Sequence, residues 1–374
     1  MKKGLFSCLV VFVLTISMAG CSGNEGVEYV EKDGRWFYSC DLDKANAPTS
    51  NLKLSSIAEK PKVVFFDTSP ESIFGFWRCT ISDNYIGICP SSGRFKLFDH
   101  DGRYLRGIGD VGHGPGEYTK IYEACIDEKN GYVYLGDMGT RKILKYTIDG
   151  EFLCVVNVGR PISKCALRCR EDGALEVVNM PFGMGDYQFM VAGGMSAPTY
   201  YPAKMEVPTR DENGNFIGFN NEIWTYGNSG LMTYKLSCSD TLYAFDSSDG
   251  SNYPLVTAQC ENKVYFMFNE TSKYLFIDTL VDPKVIWRID RSNGKLAKGE
   301  IENDYLYGMS VNNPIIKFRN GWYYDFYDSY DLESELETLE KEGNLGKEEL
   351  SEIRQLKEKV QASEQGVMLL GKLK

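Results

Sequence analysis

YIGICPSSGRFKLFDHDGRYLRGIG, residues 85–109, and YVYLGDMGTRKILKYTIDGEFLCVVNVG, residues 132–159, share one order of parts. Each has a short apolar strand, a polar turn, an alternating strand ending in an aromatic, an Asp-Gly turn and a further strand. Asp-Gly pairs suit tight turns between antiparallel strands because both residues tolerate positive φ. The turn glycines, Gly102 and Gly150, lie 48 residues apart. A period of about 40–50 residues made of strands is the signature of propeller blades.

The same pattern continues outward from these two copies. Ile162–Arg170 and Ala174–Asn179 suit the inner strands of a third blade, and Met180–Tyr201 reads as an insertion loop within a longer insert at 180–230. Aromatic strands and turns recur at 231–250 and 263–294. The outer-turn glycines are then Gly102, Gly150, Gly214, Gly250 and Gly294. Five such turns, with strand material left at both termini, predict an all-β, six-bladed β-propeller. The sixth blade combines strands from the two chain ends, which removes the exposed sheet edge.

Residues 331–361 break the pattern. Leu332, Leu336 and Leu339, then Leu350, Ile353 and Val360, follow helical spacing on either side of Gly343–Gly346. This predicts a helical hairpin insert with Gly343 as a C-cap. The apolar tail at 362–374 is left as a closing strand. The predicted organisation is a leader at 1–20, a tether and strand region at 21–51, blades at 52–330, the hairpin at 331–361 and the closing strand at 362–374.

Lys2 and Lys3 precede an apolar run, Leu5–Ile16, and small residues that end in Ala19-Gly20-Cys21. This order reads as a secretory signal peptide, too short for a membrane span. It also resembles the bacterial lipobox, which implies cleavage before Cys21 and diacylglycerol on its thiol. Such a lipid anchors a protein without spanning the bilayer. Removing residues 1–20 leaves 39 basic residues against 52 acidic ones, a net charge of −13. An acidic chain without a basic cluster is poorly suited to nucleic acid. Of the 11 cysteines, no two form a C-x-x-C pair, which argues against zinc. Cys165 and Cys169 are too far apart along a strand to bridge. A Cys79–Cys89 hairpin bridge is left open, and most of the others suit small buried apolar positions.

The run FDHDGRYLRGIGDVGHGPGEY, Phe98–Tyr118, resembles the six-bladed β-propeller lipoproteins of Bacteroidetes, relatives of the NHL-repeat propellers. The resemblance extends from about Leu52 to Lys374 and is carried most strongly by residues 85–159. It implies a fold and an envelope address, with an outer-membrane lipid anchor whose periplasmic or surface orientation stays open. It implies little about activity.

Gly107–Gly112 matches G-x-G-x-x-G, but Pro115 follows where a dinucleotide site needs a helix. Gly112, Gly114, Pro115 and Gly116 read instead as a joint between blades, with Glu117 accepting bonds from the loop's own amides. A second use stays open, in which His113, Glu117 and Tyr118 line a ligand mouth. Trp77, Trp224 and Trp322 offer stacking faces, and Trp224 lies in the insert, where binding loops concentrate. His100 and His113 are the only histidines. His100 is expected to be exposed in its turn, and Asp211–Gly214 is half a calcium loop or a plain turn. No sequence pattern marks a catalytic site or requires a cofactor.

Two functions follow, and a third use, as a purely structural subunit of a larger envelope assembly, stays open. One is a lipid-anchored module that binds a ligand or an envelope protein, peptide or glycan. The other is a lactonase- or lyase-like propeller enzyme, with a divalent cation such as Ca2+ in its channel.

Overall fold

In each blade, successive side chains along a strand point to opposite faces, so every sheet has two faces to bury. In the second blade Val133 and Leu135 pack toward the first blade, whereas Tyr134 packs toward the third. The computed structural model describes residues 25–374, except 33, 161, 163, 183–186, 194–196, 262–264, 281–284, 312–316 and 343. Residues 1–20, Cys21 and the Gly343 cap lie outside the described residues.

Six sheets of four or more strands form the blades. From the axis outward, blade 1 is Phe76–Ile81, Tyr85–Pro90, Phe95–Asp99 and Tyr104–Ile108. Blade 2 is Ile121–Asp127, Tyr132–Asp137, Lys142–Thr147 and Phe152–Val156. Blade 3 is Cys165–Cys169, Leu175–Asn179, Tyr187–Ala192 and Thr199–Pro202. Blade 4 is Ile223–Thr225, Met232–Leu236, Thr241–Asp246 and Ser251–Gln259. Blade 5 is Met267–Glu270, Tyr274–Asp278, Ile286–Asp290 and Leu296–Gly299. Blade 6 joins Phe318–Arg319, Trp322–Tyr327 and Val367–Lys372 to Lys62–Phe65 from the N-terminal region. The closing ladder is antiparallel, with Val367 opposite Phe65 and Leu370 opposite Lys62.

Six apolar clusters hold the ring, one at each blade-to-blade interface. The helices α1 (Ser329–Glu342) and α2 (Lys347–Gln361) lie between the second and third strands of blade 6. Their buried Leu332, Leu336, Ile353 and Val360 extend the cluster between blades 5 and 6. Glu340 pairs with Arg354 and Lys357 at 2.7 and 2.9 Å, tying α1 to α2.

The fold departs from or adds to the sequence expectations in three places. The stretch read as an insertion loop, 180–201, contains the two outer strands of blade 3, and Gly214 is not that blade's outer turn. Gly214 sits in an exposed Asx turn on the way to blade 4, where Asp211 accepts from the amides of Asn213 and Asn215. The N-terminal strands Val27–Lys32 and Arg35–Asp41 form a hairpin that lengthens blade 4, the second strand running parallel to Ser251–Gln259. The disulfide links Cys125 of blade 2 to Cys169 of blade 3, with Cα atoms 6.5 Å apart. Cys79 and Cys89 are free and buried. They sit one register apart, opposite Ile88 and Arg78, and burial pushes the Cys79 thiol up to about 12.

Leu336 is fully buried and Tyr330 is 79% exposed on the same helix. Leu336→Ala is expected to cost about 2–5 kcal/mol, and Tyr330→Ala less than about 0.5 kcal/mol, by urea denaturation. Equal effects would mean the hairpin does not belong to the core.

Candidate functional site in the central channel

The innermost strands of blades 1 and 2 both break register. Blade 1 shifts between Phe76 and Arg78, and blade 2 between Ile121 and Glu123. The extra residues are Trp77 and Tyr122. A β-bulge re-aims side chains and leaves one residue outside the ladder. Here the two rings meet edge to face at 5.9 Å, and the residues that follow, Arg78 and Glu123, face one another in the channel.

The channel holds a cavity of about 460 Å³, lined by Trp77, Arg78, Glu123, Trp224, Thr225 and Arg319, among others. Arg319 of blade 6 donates through Nη2 to Glu123 Oε2 at 2.7 Å and to Thr225 Oγ1 at 3.1 Å. Arg78 of blade 1 lies 3.8 Å from Glu123 and donates to Glu222 Oε2 at 3.4 Å. Glu222, just before the inner strand of blade 4, also accepts from Lys164 Nζ and from the Tyr122 hydroxyl. Lys164 donates as well to the Asn221 carbonyl at 2.6 Å. One polar network therefore joins blades 1, 2, 3, 4 and 6 around the axis.

Burial works against charge on both guanidiniums, but the surroundings outweigh it. Tyr122, Glu123 and Glu222 raise Arg78, and Glu123 raises Arg319, so both stay charged. Burial raises the Tyr122 hydroxyl, and its bond to Glu222 adds to the effect, keeping it a donor. At the edge of the channel, Lys235 is fully buried and donates to the Leu236 carbonyl at 3.0 Å. Its ammonium lies 5.5 Å from the Trp224 ring centre and 4.4 Å from that of Tyr265. Burial brings it down to about 8.

The sequence-named residues fall in three places. Trp224 and Trp77 line the channel. Trp322 does not; it lies in blade 6 edge to face with His100 at 5.0 Å. His100 is half-buried rather than exposed, because its Nε2 is engaged with the Ser82 carbonyl at 2.9 Å. His113 and Glu117 line a separate groove of about 250 Å³ beside the outer strands of blade 2, together with Gly114, Pro115 and Gly116. Glu117 accepts from the Gly114 amide at 2.7 Å, and Gly112 donates its amide to the Tyr118 carbonyl at 2.9 Å. Gly116 has φ +73° with Phe152 packed where a side chain would stand, so this position requires glycine. Tyr118 is 1% exposed; its hydroxyl donates to the Ile108 carbonyl and accepts from the Phe95 amide. So enclosed a ring offers no surface to a ligand, which removes it from a ligand mouth.

Asp137, fully buried, secures the end of this loop. Its carboxylate accepts from the amides of Thr119, Lys120, Gly139 and Thr140 at 2.8–3.1 Å. Burial would raise this carboxyl, but the Thr140 hydroxyl and the converging amides hold it below its ordinary value.

Among the described residues, no three of His, Cys, Asp and Glu are grouped to hold a metal ion. The channel carboxylates Glu123 and Glu222 are both engaged by cationic side chains, a donor set that does not fit Ca2+. Among the described residues no helix is long and apolar enough to cross a membrane.

A family model described as Domain of unknown function (DUF4934) matches residues 37–362. No curated protein matches the chain. Among solved structures, a candidate exported protein of Bacteroides fragilis NCTC 9343 superposes with a TM-score of 0.59 at 18% identity, covering 90% of this chain and 99% of that one. A DUF4221 family member from Bacteroides vulgatus ATCC 8482 gives a TM-score of 0.43 at 10% identity, covering 65% of this chain and 84% of that one. Virginiamycin B lyase of Staphylococcus aureus gives 0.43 at 14% identity, covering 64% and 74%. The first likeness extends to the fold alone, and the other two are too distant to speak to activity.

A depressed carboxyl stabilises the fold above its unfolded value near 3.8, and that contribution is lost as pH falls through the folded value. Asp137→Asn is expected to cost about 2–3 kcal/mol near pH 7. The gap to the native protein should shrink as pH is lowered below about 4. A gap constant from pH 7 to 3 in urea denaturation would contradict this role.

Proposed function

The chain belongs to the DUF4934 family, and from that premise we propose that it is a lipid-anchored propeller of the bacterial envelope that binds a small ligand in its central channel. The channel itself carries the proposal. Six apolar clusters already hold the ring together, yet the axis keeps a cavity of about 460 Å³ with two indoles and an Arg–Glu network on its wall. Concave sites of this size, mostly apolar with a few convergent polar groups, are the usual form of small-molecule sites. The lipobox-like start supports the anchor, and the outer membrane is the proposed address. The enzyme alternative gains no support from the channel's donor set.

Two experiments test the proposal. A thermal-shift screen of the purified mature chain against sugars, amino acids, nucleotides and short peptides is expected to give a ligand that raises Tm. Trp224→Ala should abolish that shift; a shift that survives the substitution places the site outside the channel. Cys21→Ala is expected to move the protein from the membrane pellet to the soluble fraction. Retention in the pellet would contradict lipid anchoring.

A further inference from the structure

The charge of the channel is opposite to that of the chain. The protein carries a net −11, yet among the described residues Arg78, Lys164 and Arg319 meet two carboxylates around the axis, Glu123 and Glu222. Lys120 and Lys235 add positive charge over the indoles of Trp77 and Trp224, at 5.4 and 5.5 Å.

Two guanidinium groups have donor capacity to spare. Arg319 Nε is buried in the channel wall with no hydrogen-bond partner among the described residues. A buried donor left unmade is costly, and the part of the Arg319 side chain that stays 13% exposed is what a ligand can reach. Arg78 meets its carboxylates only at 3.4 and 3.8 Å, longer than the roughly 2.7–2.9 Å of a good charge-assisted bond. Its planar fork suits a carboxylate. Thr225 Oγ1 accepts from Arg319, which leaves its proton free to donate. Trp77 and Trp224 are half-buried on blades 1 and 4, and each presents an apolar ring at the cavity.

We propose that the ligand is a carboxylated sugar, a uronic acid or a short oligosaccharide that carries one. The carboxylate seats on Arg78 and Arg319, the pyranose ring lies against Trp224 with Trp77 closing the opposite wall, and a ring hydroxyl bonds to Thr225. The surplus of cations selects the charge, and the paired indoles select a ring over an extended aliphatic acid. This assignment rests on the ligand-binding reading of the channel.

The test is isothermal titration of the full mature chain with digalacturonate, galacturonate, lactose and galactose. Digalacturonate is expected to bind at least about tenfold more tightly than lactose, with an affinity that falls as salt rises. Arg78→Lys keeps the charge but loses the fork, and should weaken uronate binding about tenfold while leaving the circular dichroism melt near native. Lactose binding as tightly as digalacturonate, or uronate binding indifferent to Arg78→Lys, overturns the carboxylate assignment and leaves the channel as a binding site. No uronate binding, when other compounds in the screen bind and lose their effect in Trp224→Ala, overturns the sugar assignment alone. Uronate binding unchanged by Trp224→Ala lies outside the channel and overturns both readings.

Discussion

Pairing of Lys62–Phe65 with Val367–Lys372 is the contact on which the ring depends. A single blade cannot bury its two apolar faces by itself; each needs a neighbour on both sides. That closing ladder gives blades 1 and 6 their neighbours and leaves Val64, Met368 and Leu370 buried against Ile86, Ile88 and Phe98. Ring closure is non-local, joining segments about 300 residues apart along the chain, so loop entropy opposes it until the interfaces form. Once the interfaces are made, stability resides between the blades and the axis is free to be polar.

This division explains what the sequence revealed. The blade count was legible because Asp-Gly and Asn-Gly turns are local devices, and four of the five marked outer turns stand where expected, at Gly102, Gly150, Gly250 and Gly294. The helical hairpin was legible from the spacing of Leu332 and Leu336 against Ile353 and Val360. Blade 3 was misread because no Asp-Gly turn joins its outer strands, and Tyr187–Ala192 and Thr199–Pro202 are separated by Gly-Gly-Met-Ser-Ala-Pro. A true Asx turn at Gly214 then took that turn's place. The Cys125–Cys169 link escaped notice because an inter-blade pair has no characteristic spacing.

The candidate site was less legible than the fold. Trp77 and Trp224 were visible as aromatics, but alternation alone places such residues in inter-blade packing. Arg78, Glu123, Lys164, Glu222 and Arg319 come from five blades and carry no shared motif. Two of them are aimed by register shifts, at Trp77 and Tyr122, that no periodicity announces. The loop at 109–118, which did announce itself, is held by its own hydrogen bonds and by Asp137, and lies away from the channel.

A polar network at the centre of a propeller can serve the fold or a ligand, and the two uses differ energetically. Buried ion pairs are seldom the cheapest way to hold a core together; well-packed apolar replacements are often neutral or stabilising, whereas loss of one partner is severe. Sites kept for function carry that cost. The most direct measurement is therefore the stability of the Glu123→Leu/Arg319→Met double variant against each single variant by urea denaturation. If the network is kept for a ligand, the double variant should lie within about 1 kcal/mol of the native protein or above it, with Glu123→Leu alone losing about 3–5 kcal/mol. A double variant that loses as much as the single one would show that the network holds the ring together, and would contradict the assignment of the channel as a binding site.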